Sequence, residues 1–323
     1  MSKFLRLVVL SVLTLSLLSV PALAQNGVNV SIQNPLQIAT LHWYNANLTT
    51  SFGVGANPVG VAFDGSSIWV TNGIDNTVTK LRASDGSVLG TFGVGSFPTG
   101  VVFDGANVWV VNDSGNTVTK LRASDGTVLG TFSAGTNPQY AAFDGANIWV
   151  TNYSNNNVMK LRASDGACVG TCTFAVGTNP VGVAFDGANI WVANISDNTV
   201  TKLRASDGGL LGTFSVGTHP QGLAFDGLHI WVANSLSNNV TELRASDGKV
   251  LGTFGVGSFP NTVAFDGANI WVANFGSNSV TKLRAIDGSV LGTFSAGTNP
   301  ASVAFDGSNI WVTNSSSNSV SKF

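Results

Sequence analysis

Tryptophan recurs at a regular interval along most of the chain, each time within the same short apolar run. Successive copies are 40 residues apart, with one interval of 42. A repeat of this length built from short β-type runs is the pattern of a β-propeller, in which each copy forms one blade. No segment has a 3.6-residue apolar period long enough to predict a helix. The repeated residues are Trp69, Trp109, Trp149, Trp191, Trp231, Trp271 and Trp311.

One copy, residues 57–94, shows how 40 residues divide into four strands. Apolar runs are separated by Asp64-Gly65, by a polar loop and by Asp85-Gly86, and Asp-Gly between apolar runs is a strong hairpin signal. The first two runs are almost wholly apolar, which is typical of strands buried on both faces between neighbouring blades. The third alternates in the manner of a strand, with Val78 and Leu81 apolar and Lys80 and Arg82 polar. The predicted strands span residues 58–63, 68–71, 77–83 and 88–94.

The ends of the chain predict a closed ring. The last copy ends at Phe323 after its third strand, whereas residues 50–55 repeat the fourth-strand motif of residues 90–95. Pairing this N-terminal strand with the last blade would remove two open sheet edges. We therefore predict an all-β fold, a closed seven-bladed β-propeller of four-stranded antiparallel blades over residues 49–323. The extension at 25–48 either caps the outside of the ring or is disordered.

The first 24 residues have the features of a secretory signal peptide. Lys3 and Arg6 precede an apolar stretch at 7–20, and small residues before Gln25 suit cleavage after Ala24. Fourteen apolar residues are too few to cross a membrane, which takes about 20. We therefore expect an exported chain, secreted or periplasmic, with no membrane span after cleavage.

Charge and composition exclude some partners. The chain has 15 basic and 17 acidic residues, so losing Lys3 and Arg6 leaves 13 basic residues and a net charge of −4. Without a basic tract, nucleic acid is not an expected partner. No cofactor motif is present, and we expect a monomer.

Two cysteines, Cys168 and Cys172, lie in the copy that is two residues longer than the others. In an exported protein a disulfide is the natural interpretation. A straight strand would place the two Cα atoms about 13 Å apart, too far for a bridge, so the extra residues are expected to form a bulge or tight turn. A metal site is less favoured, because no histidine lies nearby.

The Trp-containing strands resemble a known repeat family. Ile148-Trp149-Val150-Thr151-Asn152, followed by Gly-x-Asn-Pro at 177–180, is similar to the YVTN family of NHL-like seven-bladed β-propellers, and Ile-Trp-Val-Ala-Asn recurs at 190–194, 230–234 and 270–274. The resemblance covers residues 49–323 and implies exported bacterial proteins that act as interaction scaffolds or surface components. It is specific for the fold and weak for function.

Streptogramin lyases look similar at a coarser level. That resemblance implies Glu after the Trp-containing strand and a catalytic His with a divalent metal. The matching positions here carry asparagine, which argues against the lyase: Asn72, Asn112, Asn152, Asn194, Asn234, Asn274 and Asn314.

Most acidic residues belong to turns that recur in the copies, and 13 of the 17 precede glycine there. Residues present in every blade are most simply turn formers, so no metal site is predicted. Glu242 is not paired with another carboxylate by spacing. His219 and His229 are expected on opposite rims as surface variation. The turn residues are Asp64, Asp104, Asp144, Asp186, Asp226, Asp266 and Asp306, then Asp85, Asp125, Asp165, Asp207, Asp247 and Asp287.

The copies differ most on one rim, formed by the loop after the second strand and the crossover to the next blade. The differences favour apolar and aromatic residues, which suits a binding face, although drifting loops or side chains tucked under the loops would look the same. We therefore predict a non-enzymatic scaffold that binds a protein, glycan or small ligand there. One alternative is a metal-dependent enzyme of the lyase or lactonase kind, and another is a purely structural surface protein with no specific ligand. The candidate ligand-binding residues are Phe97, Tyr140, Tyr153, Ile195, His219, Leu236, Phe259 and Phe275.

Overall fold

The computed structural model describes residues 50–323, which form seven four-stranded antiparallel sheets arranged in a ring. The predicted seven-bladed β-propeller is therefore confirmed. The signal peptide, the extension at 25–48 and His42 lie outside the described residues. Within residues 50–323, no helix is long and apolar enough to cross a membrane.

The strand bounds agree with the sequence prediction to within one or two residues. The second strand extends one residue further at each end, so that Asn72 belongs to it instead of to the following loop. Blade 1 is β2 (Pro58–Phe63), β3 (Ser67–Asn72), β4 (Thr77–Arg82) and β5 (Val88–Gly93); blade 2 is β6 (Pro98–Phe103), β7 (Asn107–Asn112), β8 (Thr117–Arg122) and β9 (Val128–Ser133); blade 3 is β10 (Pro138–Phe143), β11 (Asn147–Asn152), β12 (Asn157–Arg162) and β13 (Cys168–Ala175).

The remaining blades repeat this order along the chain. Short 3₁₀ turns at Tyr153–Asn155 and Phe275–Ser277 follow the second strands of blades 3 and 6. Blade 4 is β14 (Pro180–Phe185), β15 (Asn189–Asn194), β16 (Thr199–Arg204) and β17 (Leu210–Ser215); blade 5 is β18 (Pro220–Phe225), β19 (His229–Asn234), β20 (Asn239–Arg244) and β21 (Val250–Gly255); blade 6 is β22 (Pro260–Phe265), β23 (Asn269–Asn274), β24 (Ser279–Arg284) and β25 (Val290–Ser295); blade 7 is β26 (Pro300–Phe305), β27 (Ile310–Asn314) and β28 (Ser319–Lys322), completed by β1 (Ser51–Gly53).

The N-terminal strand closes the ring as predicted. β1 pairs with β28 in antiparallel register, with Phe52 opposite Val320. The Phe52 ring packs on Trp311 at a centroid distance of 5.5 Å, as Phe92 packs on Trp69 at 5.6 Å in blade 1. The last blade is therefore assembled from both ends of the propeller.

The core lies between blades, where each Trp packs against the first three strands of the next blade. Trp69, for example, joins Val108, Val110 and Leu121 of blade 2 in one buried cluster. The second strands are almost fully buried, as their continuous apolar sequence predicted. The fourth strands lie on the outside and are largely exposed.

Each Trp is held by an Asp five residues earlier, a contact that the sequence analysis did not predict. In every described blade the indole Nε1–H donates to one carboxylate oxygen of that Asp, at 2.7–2.8 Å. The other oxygen accepts backbone N–H groups of the turn, as for Asp64 with Ser66 and Ser67. The Asp that recurs in each blade is thus both a turn former and the hydrogen-bond partner of the buried indole.

The third strand buries a lysine, which the sequence pattern did not predict. The Lys80 side chain is buried, with its ammonium over the Trp69 ring and donating to the Ala123 carbonyl of the next blade at 2.6 Å. A buried ammonium needs such partners because it has left water. Lysines at the same position of five other described blades also lie over their Trp: Lys120, Lys160, Lys202, Lys282 and Lys322.

Candidate functional site

The loops of the ring form two rims with different chemistry. The loop after the second strand is bonded to the crossover, as Gly73 N–H donates to Asn57 O at 2.8 Å. We call this side the variable rim. The two Asp-Gly turns are bonded to each other on the other side, where Ala83 N–H donates to Ser66 O at 3.3 Å. We call that side the Asp-Gly rim.

Two adjoining hollows open on the variable rim. The first has a volume of about 550 Å³ and the second about 500 Å³. Gln221 and Asn261 line both, so the two parts adjoin, and their lining runs from Asp113 after the second strand of blade 2 to Asn299 before the first strand of blade 7. We call the two parts together the rim hollow. The first part is lined by Asp113, Asn137, Gln139, Tyr140, Tyr153, Val181, Ile195, Gln221 and Asn261, and the second by Gln221, Ser235, Phe259, Asn261, Phe275, Gly276 and Asn299.

Tyr140 lies where the central channel opens into the rim hollow, because it lines both the hollow and a cavity of about 120 Å³ in the channel. Four other blades place glycine at this position: Gly60, Gly100, Gly182 and Gly222. A Cβ on Gly100 would lie 2.7 Å from the Tyr140 Cα, so the glycine permits the close approach of the two innermost strands. Burial raises the pKa of Tyr140 to about 12, and its hydroxyl is protonated at neutral pH, as that of an ordinary tyrosine is.

Asp113 is the charged member of the lining and is already engaged by neutral groups. Its Oδ1 accepts hydrogen bonds from Asn137 Nδ2 and Gln139 Nε2, each at 3.1 Å. Burial raises the pKa of Asp113, and the Asn137 bond offsets part of that effect. The carboxylate therefore orients two carboxamides at one end of the rim hollow.

The structure brings five of the eight predicted rim residues together in the hollow. Tyr140, Tyr153 and Ile195 line the first part, and Phe259 and Phe275 line the second. Ile195 is only 7% exposed, so it is largely core, whereas Phe259 and Phe275 are 49% and 38% exposed.

The other three predicted residues lie outside the lining. His219 adjoins it, because its Nδ1 lies 3.2 Å from Nε2 of Gln221. Phe97 points toward Gly73 of blade 1, and Leu236 is an exposed loop residue. The predicted residues therefore converge in one sector of the variable rim instead of around the whole ring.

Phe97 and Phe259 have an unusual backbone. They occupy the crossover position before Pro with φ of 51° and 50°, where four blades place Asn at φ of 52–55°. Left-handed backbone is tolerated by Asn and disfavoured for bulky residues. The backbone N–H of each phenylalanine donates a hydrogen bond to an asparagine side chain, Phe97 to Asn76 Oδ1 and Phe259 to Asn238 Oδ1. The two phenylalanines thus differ chiefly in whether they reach the rim hollow.

The seven asparagines that replace the glutamate of the lyase pattern are buried structural groups. Asn194 shows the arrangement: its Oδ1 accepts from Gly177 N–H and its Nδ2 donates to the Thr199 and Thr201 hydroxyls. These bonds tie the end of the second strand to the crossover and to the third strand. They do not line the rim hollow.

Blade 5 breaks the uniformity expected of the Asp-Gly rim. Glu242 stands where six blades have Lys, and His229 stands where most have Asn. Nδ1 of His229 lies 3.1 Å from Asp226 Oδ2 and 3.3 Å from Glu242 Oε1. His229 is therefore not simple surface variation, and the fold pairs two carboxylates that the sequence analysis left apart. His219 and His229 do lie on opposite rims.

Residues that suggest metal or disulfide chemistry are limited. Within residues 50–323, no group of three His, Cys, Asp or Glu side chains is arranged to hold a metal ion, and this includes His229 with its neighbours Asp226 and Glu242. Cys168 and Cys172 form a disulfide with a Cα separation of 5.3 Å. Gly170 and Cys172 have φ of 61° and 41°, so a tight turn on the outermost strand of blade 3 brings the two cysteines together.

The carboxamides of the hollow were not among the residues predicted from the sequence. The residue after the crossover Pro is an amide in three blades, Gln139, Gln221 and Asn261, and Val, Thr or Ala in the others. These amides lie inside the first strand of their blades, whereas the candidate residues were predicted from differences in the loops and from apolar side chains. Comparing every repeat position for amides would have found it.

Solved structures with the same fold are numerous. Hydrazine synthase of Kuenenia stuttgartiensis has a TM-score of 0.73 at 17% identity, over 83% of this chain and 95% of that one. A streptogramin B lyase has a TM-score of 0.72 at 18% identity, over 84% and 95%. A catalytically inactive virginiamycin B lyase from Staphylococcus aureus with quinupristin has 0.71 at 18%, over 82% and 94%.

These likenesses show the seven-bladed fold and no more, because identities this low carry no function. No protein-family model and no curated protein sequence matches the chain. The protein therefore belongs by fold to the seven-bladed β-propellers, and the YVTN resemblance stays a prediction.

Proposed function

We propose that this protein is an exported, non-enzymatic binding module that holds a ligand in the rim hollow. The observation that carries the proposal is the convergence of side chains from several blades on one concavity. Its two parts, about 550 and 500 Å³, fall in the usual range of ligand sites, about 300–1,000 Å³. Lining residues from different blades require the folded ring, as a site between repeats does.

The departures from the repeat pattern support the same sector. Tyr140 replaces a glycine, Phe259 replaces an asparagine and Gln221 replaces a small or apolar residue. None of the three side chains belongs to the buried clusters between the blades. Phe259 in particular keeps a left-handed backbone and half of its surface exposed. Strained, exposed residues of this kind are concentrated at binding sites.

The alternative of a metal-dependent lyase or lactonase has less support in the lining. A catalytic metal needs several carboxylates or imidazoles around one point. The rim hollow offers the Asp113 carboxylate, which two carboxamides already engage. Metal analysis of the purified protein, with metal-dependent thermal shifts, tests this alternative directly.

The proposal is tested by ligand-detected NMR with a library of neutral small-molecule fragments. Wild type is compared with Phe259→Asn, which restores the residue of the other blades, and with Phe97→Asn, its matched control outside the hollow. Fragments that bind wild type and Phe97→Asn and are lost from Phe259→Asn support the proposal. Fragments that bind all three proteins equally, or none, would overturn it.

A further inference from the structure

We infer that the ligand of the rim hollow is a neutral oligosaccharide. This inference rests on the proposed function and narrows it to one chemical class. It is argued from the hydrogen-bonding groups, the aromatic faces and the charge of the hollow.

The hydrogen-bonding groups of the hollow are mainly carboxamides. Asn137, Gln139, Gln221, Asn261 and Asn299 all line it. A carboxamide offers two donor hydrogens and an acceptor oxygen side by side. Sugar hydroxyls also donate and accept at once, so a carboxamide can match a pair of neighbouring hydroxyls. The Oδ1 atoms of Asn137 and Asn299 already accept from the Ser154 and Ser316 hydroxyls, so the match falls mainly to Gln139, Gln221 and Asn261. Such a lining suits a ligand that presents many hydroxyls.

Two of these carboxamides are fixed before any ligand arrives. Asp113 accepts one hydrogen from Asn137 and one from Gln139. The Asn137 side-chain oxygen in turn accepts from the Ser154 hydroxyl, so the Gln139 oxygen is the acceptor of this pair that can meet a ligand. Gln221 is similarly placed by its contact with His219. Fixing polar groups in advance lowers the entropy cost of binding. The hollow is therefore organised to hold hydroxyls at set positions.

Aromatic rings supply flat apolar faces between the carboxamides. Tyr140 and Tyr153 line the first part of the hollow, and Phe259 and Phe275 line the second. The C–H face of a sugar ring packs on such a face, and the contact is favourable because the aromatic face is electron-rich. Two aromatic residues in each part allow a chain of at least two sugar rings.

The charge of the hollow disfavours ionic ligands. Of the residues that line its described surface, Asp113 is charged, and none is Lys or Arg. Phosphate, sulfate and carboxylate ligands are bound by guanidinium or ammonium groups, which the lining does not offer. A cationic ligand would meet a single carboxylate whose pKa burial raises. Neutral sugars are the polyhydroxylated class that this lining fits.

The experiment uses titration calorimetry of the mature protein with neutral gluco-, manno-, galacto- and N-acetylhexosamine oligosaccharides. A sulfated oligosaccharide of equal length serves as the charged comparison. The variants are Gln221→Met, which keeps the side-chain volume and removes the carboxamide, and Phe259→Asn, with Phe97→Asn as control. Thermal melting of each variant verifies that the ring is intact.

At least one neutral oligosaccharide is expected to bind wild type and Phe97→Asn with equal affinity. The same oligosaccharide is expected to bind Gln221→Met and Phe259→Asn about tenfold or more weakly. Equal or tighter binding of the sulfated probe would overturn the inference. Fragments that bind in the hollow while every neutral oligosaccharide fails would also overturn it, and the proposed function would stand. Failure of both fragments and oligosaccharides would reject the two together.

Discussion

The Asp–Trp pair is the residue-level unit from which each blade is built. The indole of Trp191 is fully buried, and its N–H donates to Asp186 at 2.8 Å. Without that carboxylate, a buried N–H would lose its partner. The sequence showed the spacing of Asp and Trp but not their contact, because the four residues between them form a turn and the start of a strand, whose geometry decides which groups meet.

Removing the charge of one such Asp is expected to weaken the fold. Asp186→Asn should lower the free energy of unfolding by about 1–3 kcal/mol, the usual cost of impairing a buried hydrogen bond to a charged group. Urea unfolding at neutral pH measures this change in the free energy of unfolding. Asp207→Asn is the control, since Asp207 makes an exposed pair with Arg204 and should change stability little. Equal effects of the two changes would contradict this role for Asp186.

The Trp-bonded Asp residues also predict loss of stability in acid. Burial raises the pKa of Asp186, but hydrogen bonds from Trp191, Asn189 and the backbone outweigh burial and place it below 3.8. A pKa lowered by folding adds stability above 3.8 that disappears as the pH falls through the folded value. Asp104, Asp144, Asp226, Asp266 and Asp306 are lowered as well. Thermal melting between pH 7 and pH 2.5 should show a steep fall below about pH 4, and a flat profile would contradict it.

At the scale of elements, the seams between blades are joined by a repeated lysine clamp. Lys202 of blade 4 lies over Trp191 and donates to Ala245 O of blade 5 at 2.7 Å. Blade 5 lacks this clamp, because Glu242 stands at the lysine position. Burial raises the pKa of Glu242, His229 partly offsets this, and Asp226 adds to it. The seam between blades 5 and 6 is therefore expected to be weaker than the others.

Restoring lysine at this seam should stabilise the ring. Folding raises the pKa of the Glu242 carboxyl above its unfolded value of 4.5. Such a group stabilises the fold at pH values below 4.5, and this contribution is lost as the pH rises through the folded pKa. Glu242→Lys should therefore raise the free energy of unfolding by about 1 kcal/mol at pH 7 and less at pH 4. Lys202→Glu is the reciprocal control and should destabilise. The account of the seam fails if Glu242→Lys destabilises at pH 7.

The whole molecule depends on closure of the ring by its first strand. Phe52 of β1 packs on Trp311 in the same way as Phe92 packs on Trp69 within blade 1. Phe52→Ala and Phe92→Ala should each cost about 3 kcal/mol, measured by chemical unfolding. If Phe52→Ala leaves stability unchanged while Phe92→Ala does not, closure through β1 contributes nothing to the stability of the ring.

Sequence reasoning reached the fold because a propeller is a repeated local pattern. Each of the signals that predicted the fold lies within one copy of the repeat or at one end of it. These signals are the Trp interval, the Asp-Gly turns and the spare strand at 50–55. The rim hollow depends on which blades lie side by side and on which residues point inward. Tyr153 and Phe275 could be found from loop variation, whereas Gln221 and Asn261 lie within strands and Phe97 shares every local feature of Phe259. Only the closed ring separates the last two.

The rim hollow as the ligand site is the central claim, and locating ligands without choosing a site in advance tests it most directly. Crystals of the mature protein would be soaked with neutral hydroxylated and aromatic fragments, and their positions determined. The account predicts that bound fragments cluster in the rim hollow, in contact with Gln221, Asn261 and Phe259. Fragments that cluster instead on the Asp-Gly rim, or around the outer strands, would contradict it.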